Sequence, residues 1–146
     1  MINNLRSLIE LHEGRIPYCY ADSLGNLTIG VGHLVDKAKG GKLPEDIIDA
    51  LLDHDIRVHA EELRRELPWV KDLDPVRYAV LVDMAFNLGV PGLLLFRNTL
   101  GAIKAGDMAG AAESMLKSRW ATQVGSRAKR LAGMLVSGQW PDKPVA

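Results

Sequence analysis

The chain has 146 residues, 47% of them hydrophobic, and its eighteen basic and eighteen acidic side chains cancel to a formal charge of zero. That length supports one domain with a buried core, and the balanced charge argues against a nucleic-acid partner or a polybasic membrane anchor. The single cysteine, Cys19, excludes an internal disulfide and reads as a small buried filler in a chain that matures in reducing surroundings.

The start, Met1-Ile2-Asn3-Asn4-Leu5-Arg6, has no basic stretch followed by an apolar core, so neither a signal peptide nor a signal anchor is expected. The densest apolar run, Val90 to Phe96, contains Pro91 and Gly92 and is far too short to span a membrane. From Leu5 the apolar positions Leu5, Leu8 and Ile9 predict a helix capped by Asn3 or Asn4 and stopped by Gly14, with Glu13 in its last turn. Tyr18-Cys19-Tyr20 and Leu27-Thr28-Ile29 flank Asp22-Ser23-Leu24-Gly25-Asn26, which predicts a hairpin within Ile16 to Val31 as the only β segment. Pro44 then opens a long helix to about Glu66, ended by Pro68.

Beyond it the chain reads as helical. Asp74 caps a helix with Pro75 in its first turn, so apolar around its circumference that it should be the buried central one, ending near Gly89. Shorter helices follow from about Phe96 to Lys104, from the cap Asp107 to about Lys117, and from Ser126 to Gly138, with Trp140-Pro141 in the tail. The fold class expected is α+β, mostly α.

Two acidic residues draw attention because glycoside hydrolysis needs one carboxylic acid to protonate the leaving oxygen and a second carboxylate to activate water or attack the anomeric carbon. If the first helix ends at Gly14, Glu13 lies at the negative end of its dipole, which would disfavour the anion and help to keep a proton donor there. Asp22, at the mouth of the hairpin turn, should stay ionised. Carboxylates in unlike environments divide into acid and base. Thr28 lies across the same turn, and residues 28, 30 and 32 share strand parity, so Gly30 and Gly32 leave a bare face on which a sugar chain could approach the backbone. Leu27, Ile29 and Val31 should form the opposite, buried face. The Thr28 hydroxyl could then hold a water against Asp22, the arrangement of a single displacement with inversion. Taken alone, the pair equally fits a solvated turn Asp and an ordinary strand Thr.

The pattern does not stand alone. Glu13-Gly14, Asp22, Gly25 and Thr28-Ile29-Gly30-Val31-Gly32-His33 resemble the signature of the phage-type lysozyme (endolysin) family, glycoside hydrolase family 24. Phe86-Asn87-Leu88-Gly89 with Phe96-Arg97-Asn98-Thr99-Leu100 resembles the family's helical lobe. Lys117-Ser118-Arg119-Trp120 with Ser126-Arg127-Ala128-Lys129-Arg130 is a still closer match. The resemblance implies a lysozyme-like two-lobed fold over residues 1–146, with a small N-terminal β-hairpin lobe at about 15–55, a connecting helix at about 44–66, and a larger helical lobe from about 67 joined by the N-terminal helix, the active cleft lying between lobes. It implies Glu13 as general acid and Asp22 with Thr28 positioning the attacking water. It further implies Arg127 as a partner of Glu13, a structural pair between His33 and Asp55, and glycan contacts at Leu34, Phe86, Thr99 and Ser114 beside Gly30. Only about ten residues separate His33 from the long helix, so the small lobe looks trimmed against larger members.

The activity implied is a muramidase cutting the β-1,4 bond between N-acetylmuramic acid and N-acetylglucosamine in bacterial peptidoglycan, with no cofactor and no metal. His12-Glu13 starts like a zinc protease motif, but Ile16 stands where the second histidine would be, and His54 and His59 are off one another's helical face. The partner expected is peptidoglycan, not nucleic acid or a stable membrane association, for a monomer that waits in the host bacterial cytoplasm until a holin opens the membrane. The rival is a non-catalytic peptidoglycan-binding or structural phage module with a lysozyme fold, since fold alone does not prove activity.

Overall fold

The computed structural model describes residues 4–21, 24–31, 33–36 and 42–142. The chain divides into two compact units, Met1–Leu51 and Leu52–Ala146.

The first unit opens with α1 (Leu5–Glu13), whose N-cap is Asn4: its side chain accepts from the Ser7 N–H at 2.9 Å. Gly14 stops the helix with φ +75°, its N–H reaching back to the Glu10 carbonyl at 2.9 Å, a conformation that favours glycine. Three antiparallel strands follow in the order β1 (Ile16–Ala21), β2 (Leu27–Gly30) and β3 (His33–Asp36). The hairpin was legible, but β3 was not expected: four residues directly after Gly32 are too few to show alternation. Pairing runs Ile16 to Gly30, Tyr20 to Thr28 and Ala21 to Leu27, then Thr28 to Leu34 and Ile29 to His33.

Burial in this sheet departs from the expected faces at Thr28 and Leu27, while Ile29 and Val31 are half-buried. Thr28 is only 3% exposed whereas Leu27 is 40% exposed. The third strand makes β2 central, so Thr28 is flanked by Tyr20 and Leu34, while Leu27 stands at the hairpin end beside a register irregularity. Cys19, expected to be a buried filler, is exposed on β1.

The long helix α2 (Glu45–Glu66) contains the boundary between units. Its early apolar residues Ile47, Ile48, Leu51, Leu52 and Ile56 are all at least 40% exposed, and only Ala60 and Leu63 near its end are buried. In the second unit Pro68–Asp72 form a 3₁₀ turn, followed by α3 (Pro75–Leu88), α4 (Val90–Leu94), α5 (Arg97–Lys104), α6 (Met108–Leu116), α7 (Arg119–Val124) and α8 (Ser126–Ser137). The 3₁₀ turn, α4 and α7 are too short for a helical period to show in sequence.

The core gathers on α3, whose Val80, Leu81, Met84 and Ala85 are fully buried as the apolar circumference predicted. Leu93, Ile103, Met115 and Leu135 bring α4, α5, α6 and α8 onto the same cluster. Each buried Leu, Ile, Met or Val contributes about 1.5–3 kcal/mol of transfer free energy. Asp74 caps α3, accepting from the Val76 and Arg77 N–H groups. Arg77 in turn donates from Nε to the Leu135 carbonyl at 2.8 Å and from Nη2 to the Val136 carbonyl at 3.3 Å, closing the end of α8. Among the described residues, no helix is long and apolar enough to cross a membrane.

Candidate active site

In the first unit, Glu13 is the final residue of α1 and is exposed. After Gly14 and Arg15 the chain enters β1 at Ile16, whose partner is Gly30. Two residues back along β2 is Thr28. The topology therefore brings the acid-bearing helix end close to the strand that carries the threonine. Asp22 and Gly32 lie outside the described residues.

The Thr28 hydroxyl donates to the Asn26 backbone carbonyl at 3.1 Å. Its single proton is thereby committed inside the turn, and its oxygen keeps lone pairs that can only accept. Such a group can orient a water by receiving one of that water's hydrogens. Gly30 has φ +69°, and a side-chain carbon placed on it would meet nothing within 4 Å, so a ligand can reach the backbone there without displacing protein atoms. Leu34, paired with Thr28 across the sheet, is 43% exposed.

Below Glu13 on α1, Glu10 accepts from Arg15 Nη2 at 2.6 Å and from Arg6 Nε at 3.3 Å. The hydrogen bond from Arg15, then that from Arg6, hold its carboxyl below the ordinary carboxylate range. Residues five apart on a continuous helix would face away from one another. The pair forms because the chain turns at Gly14.

In the second unit, two of the expected glycan contacts meet. Thr99 on α5 is 2% exposed, and its hydroxyl donates to Ser114 Oγ on α6 at 3.1 Å. Both line a cavity of about 340 Å³ with Phe96, Trp120, Arg97 and Arg119. Its aromatic wall is fixed: Trp120 donates from Nε1 to Asn87 Oδ1 at 2.7 Å and meets Phe96 edge to face with centroids 5.8 Å apart. The cavity's charged lining residues are both cations.

Phe86 on α3 is 38% exposed, its ring 5.5 Å from that of His59 on α2. It lines a second cavity of about 430 Å³ with Leu52, Ile56, Val82, Asp83 and Arg127. Arg127 stands in the first turn of α8, where a cation meets the positive end of the helix dipole. Asp83 offsets this, accepting from Arg127 Nε at 2.8 Å, while Nη2 reaches the Asp83 carbonyl at 3.4 Å. The resemblance implied Glu13 as the partner of Arg127. The partner within its own unit is Asp83, which sequence reasoning missed. Its signal was present, a lone acid in the apolar run Val80-Leu81-Val82-Asp83-Met84-Ala85. Glu13 and His33 belong to the first unit, and Arg127 and Asp55 to the second.

A small antiparallel sheet following an N-terminal helix that ends in a glutamate, joined in sequence to a helical unit built around one apolar helix, is the architecture of a lysozyme-like α+β protein. The family model described as phage lysozyme matches residues 10–136, and the chain belongs to that family of muramidase-like glycosidases. Among its relatives are the probable T4-type lysozymes 1 and 2 of Dictyostelium discoideum, 27% and 25% identical over alignments that cover 94% of this chain and 96% of each relative. The pre-baseplate central spike protein Gp5 of Enterobacteria phage T4 is 25% identical over 92% of this chain but only 28% of its own length.

Proposed function

We propose that the protein is an endolysin muramidase that hydrolyses the β-1,4 bond between N-acetylmuramic acid and N-acetylglucosamine in peptidoglycan with inversion. The observation that carries this reading is the Thr28 hydroxyl, buried on the central strand with its proton held by Asn26 and its lone pairs left to accept from water. In the reaction Glu13 gives its proton to the glycosidic oxygen as the bond to the anomeric carbon breaks. Water attacks that carbon from the opposite side, passing a proton to the Asp22 carboxylate while Thr28 fixes its orientation. Proton return through solvent restores both groups. Inversion requires the two carboxyl groups to stand about 6.5–9.5 Å apart.

Gly30, Leu34, Phe86, Thr99 and Ser114 serve the glycan, and the cationic lining beside Thr99 and Ser114 suits the carboxylates of peptidoglycan stems. The supporting residues of this reading are Arg127, His33 and Asp55. The enzyme acts as a monomer without cofactor, held in the host cytoplasm until a holin admits it to the wall. Glu13→Gln is expected to reduce clearing of permeabilised cells by about 10²–10⁴-fold while leaving the fold intact, with NMR of the first-formed sugar reporting inverted configuration. A folded, fully active variant, or retained configuration, overturns the acid or the inversion respectively.

The likeness to the central spike protein of phage T4 favours one other reading, a structural phage module with this fold. A wild-type chain that binds peptidoglycan and releases no reducing ends would establish it.

A further inference from the structure

Each of the chain's two phenylalanines is braced by an aromatic ring from another element. Phe96 meets Trp120 of α7 edge to face and packs on the core cluster. Phe86 differs. Met84 and Ala85, just before it on α3, are fully buried, but Phe86 itself stands outside that cluster. The core therefore does not set where its ring points. The ring that touches it is His59 of α2, with centroids 5.5 Å apart and planes tilted by 58°. Both residues belong to the second unit.

His59 is half-buried and stands on a firm base. Ala60 and Leu63, which follow it on α2, are buried, and Arg64 donates from Nη1 to the Tyr78 hydroxyl of α3 at 2.7 Å. The end of α2 is thus fastened to α3 by a core leucine and a polar tie. Hydrogen bonding does not account for the imidazole itself: Nδ1 is buried and has no hydrogen-bond partner among the described residues. A buried polar atom left unpaired costs stability, so an aliphatic side chain would fill this space better. What the imidazole adds is a flat aromatic face set against Phe86.

We propose that His59 is a positioning residue, whose ring holds that of Phe86 in the orientation that meets the glycan and so sets affinity without taking part in the chemistry. The assignment of a glycan as the ligand rests on the muramidase reading, in which Phe86 is a glycan contact, whereas the hold of His59 on Phe86 does not. A ring already in its bound rotamer does not have to be ordered when the ligand arrives, and binding strengthens accordingly. Such a contact acts on bound substrate and transition state alike, so its loss raises KM and leaves kcat unchanged.

The test compares His59→Leu, which keeps apolar bulk but loses the flat face, with His59→Phe, which keeps the face and loses the unpaired nitrogen. In the full chain labelled with para-fluorophenylalanine, two fluorine resonances are expected, and that of Phe86 is identified by its loss in Phe86→Leu. His59→Leu should shift the Phe86 resonance and leave that of Phe96 in place. On uncrosslinked peptidoglycan strands it should raise KM about threefold to tenfold with kcat unchanged, and His59→Phe should restore the wild-type KM. A role in stability alone would change Tm and leave KM where it was. An unmoved Phe86 resonance in folded His59→Leu, a wild-type KM in that variant, or a KM as high in His59→Phe as in His59→Leu overturns the proposal. Hydrolysis by the wild type is scored separately: a Phe86 resonance shifted by His59→Leu in a chain that cleaves no strands removes the muramidase reading and leaves the hold of His59 on Phe86 standing.

Discussion

The two units differ in what they bury. From Leu63 onward the second unit has a continuous apolar cluster spread over α2 to α8, while in the first the one buried residue among the described residues is the polar Thr28. The unit with the proposed acid and water-holding hydroxyl thus has no buried apolar centre of its own among those residues. Stability is not uniform across proteins, and residues that do chemistry are often drawn from less stable parts. The comparison predicts that stability and activity separate by unit.

Leu81→Ala should test that separation most strongly, costing about 2–5 kcal/mol in urea unfolding because it opens a cavity in the sealed core of α3, with residual folded protein as active as wild type. Loss of activity beyond loss of folded protein would break the comparison. Thr28→Val comes next. It keeps the volume but removes the hydroxyl's bond to the Asn26 carbonyl, at about 0.5–1.5 kcal/mol for an ordinary hydrogen bond, and should abolish clearing where Thr28→Ser retains much of it. Equal activity of the two variants would remove the hydroxyl from the mechanism.

A smaller effect is expected at Asp74, whose carboxyl is held below its ordinary value chiefly by the Arg77 N–H and further by the Arg77 guanidinium. A lowered folded pKa contributes stability above the unfolded value of about 3.9 that is lost as pH falls through the folded value. Asp74→Ala should therefore cost about 1 kcal/mol near neutral pH, and Asp74→Asn, which still caps, should flatten the acid limb of urea midpoints measured from pH 7 to pH 2. An unchanged acid limb would show that this cap does not couple to global unfolding. Smallest of all, Glu113→Gln breaks an exposed pair with Lys117 that holds the Glu113 carboxyl low. No resolvable change in Tm is expected, since such pairs are weak and screened, and a clear fall would mean that the surface of the second unit matters to its stability.

How far the sequence reveals each unit follows the same division. Where local chemistry sets the structure, as at Asn4, Gly14, Asp74 and Gly138, the helix ends are readable in advance. Where tertiary surroundings set it, they are not. The face of β2 was misjudged because burial of Thr28 depends on β3, and the Asp83–Arg127 pair joins residues 44 apart on two helices. The candidate acid and threonine were visible through motif spacing. The Asn26 carbonyl that takes the Thr28 proton was visible only in the fold.

The Glu10–Arg15 pair has a further consequence for how this chain can change. Because those residues meet only when the chain turns at Gly14, their ion pair measures the length of α1. One residue inserted between them would shift Arg15 out of reach, and one removed would carry Glu13 to a different azimuth. Because the pair is exposed, its loss would cost little stability; what an insertion or deletion there changes is the direction in which Glu13 leaves the helix.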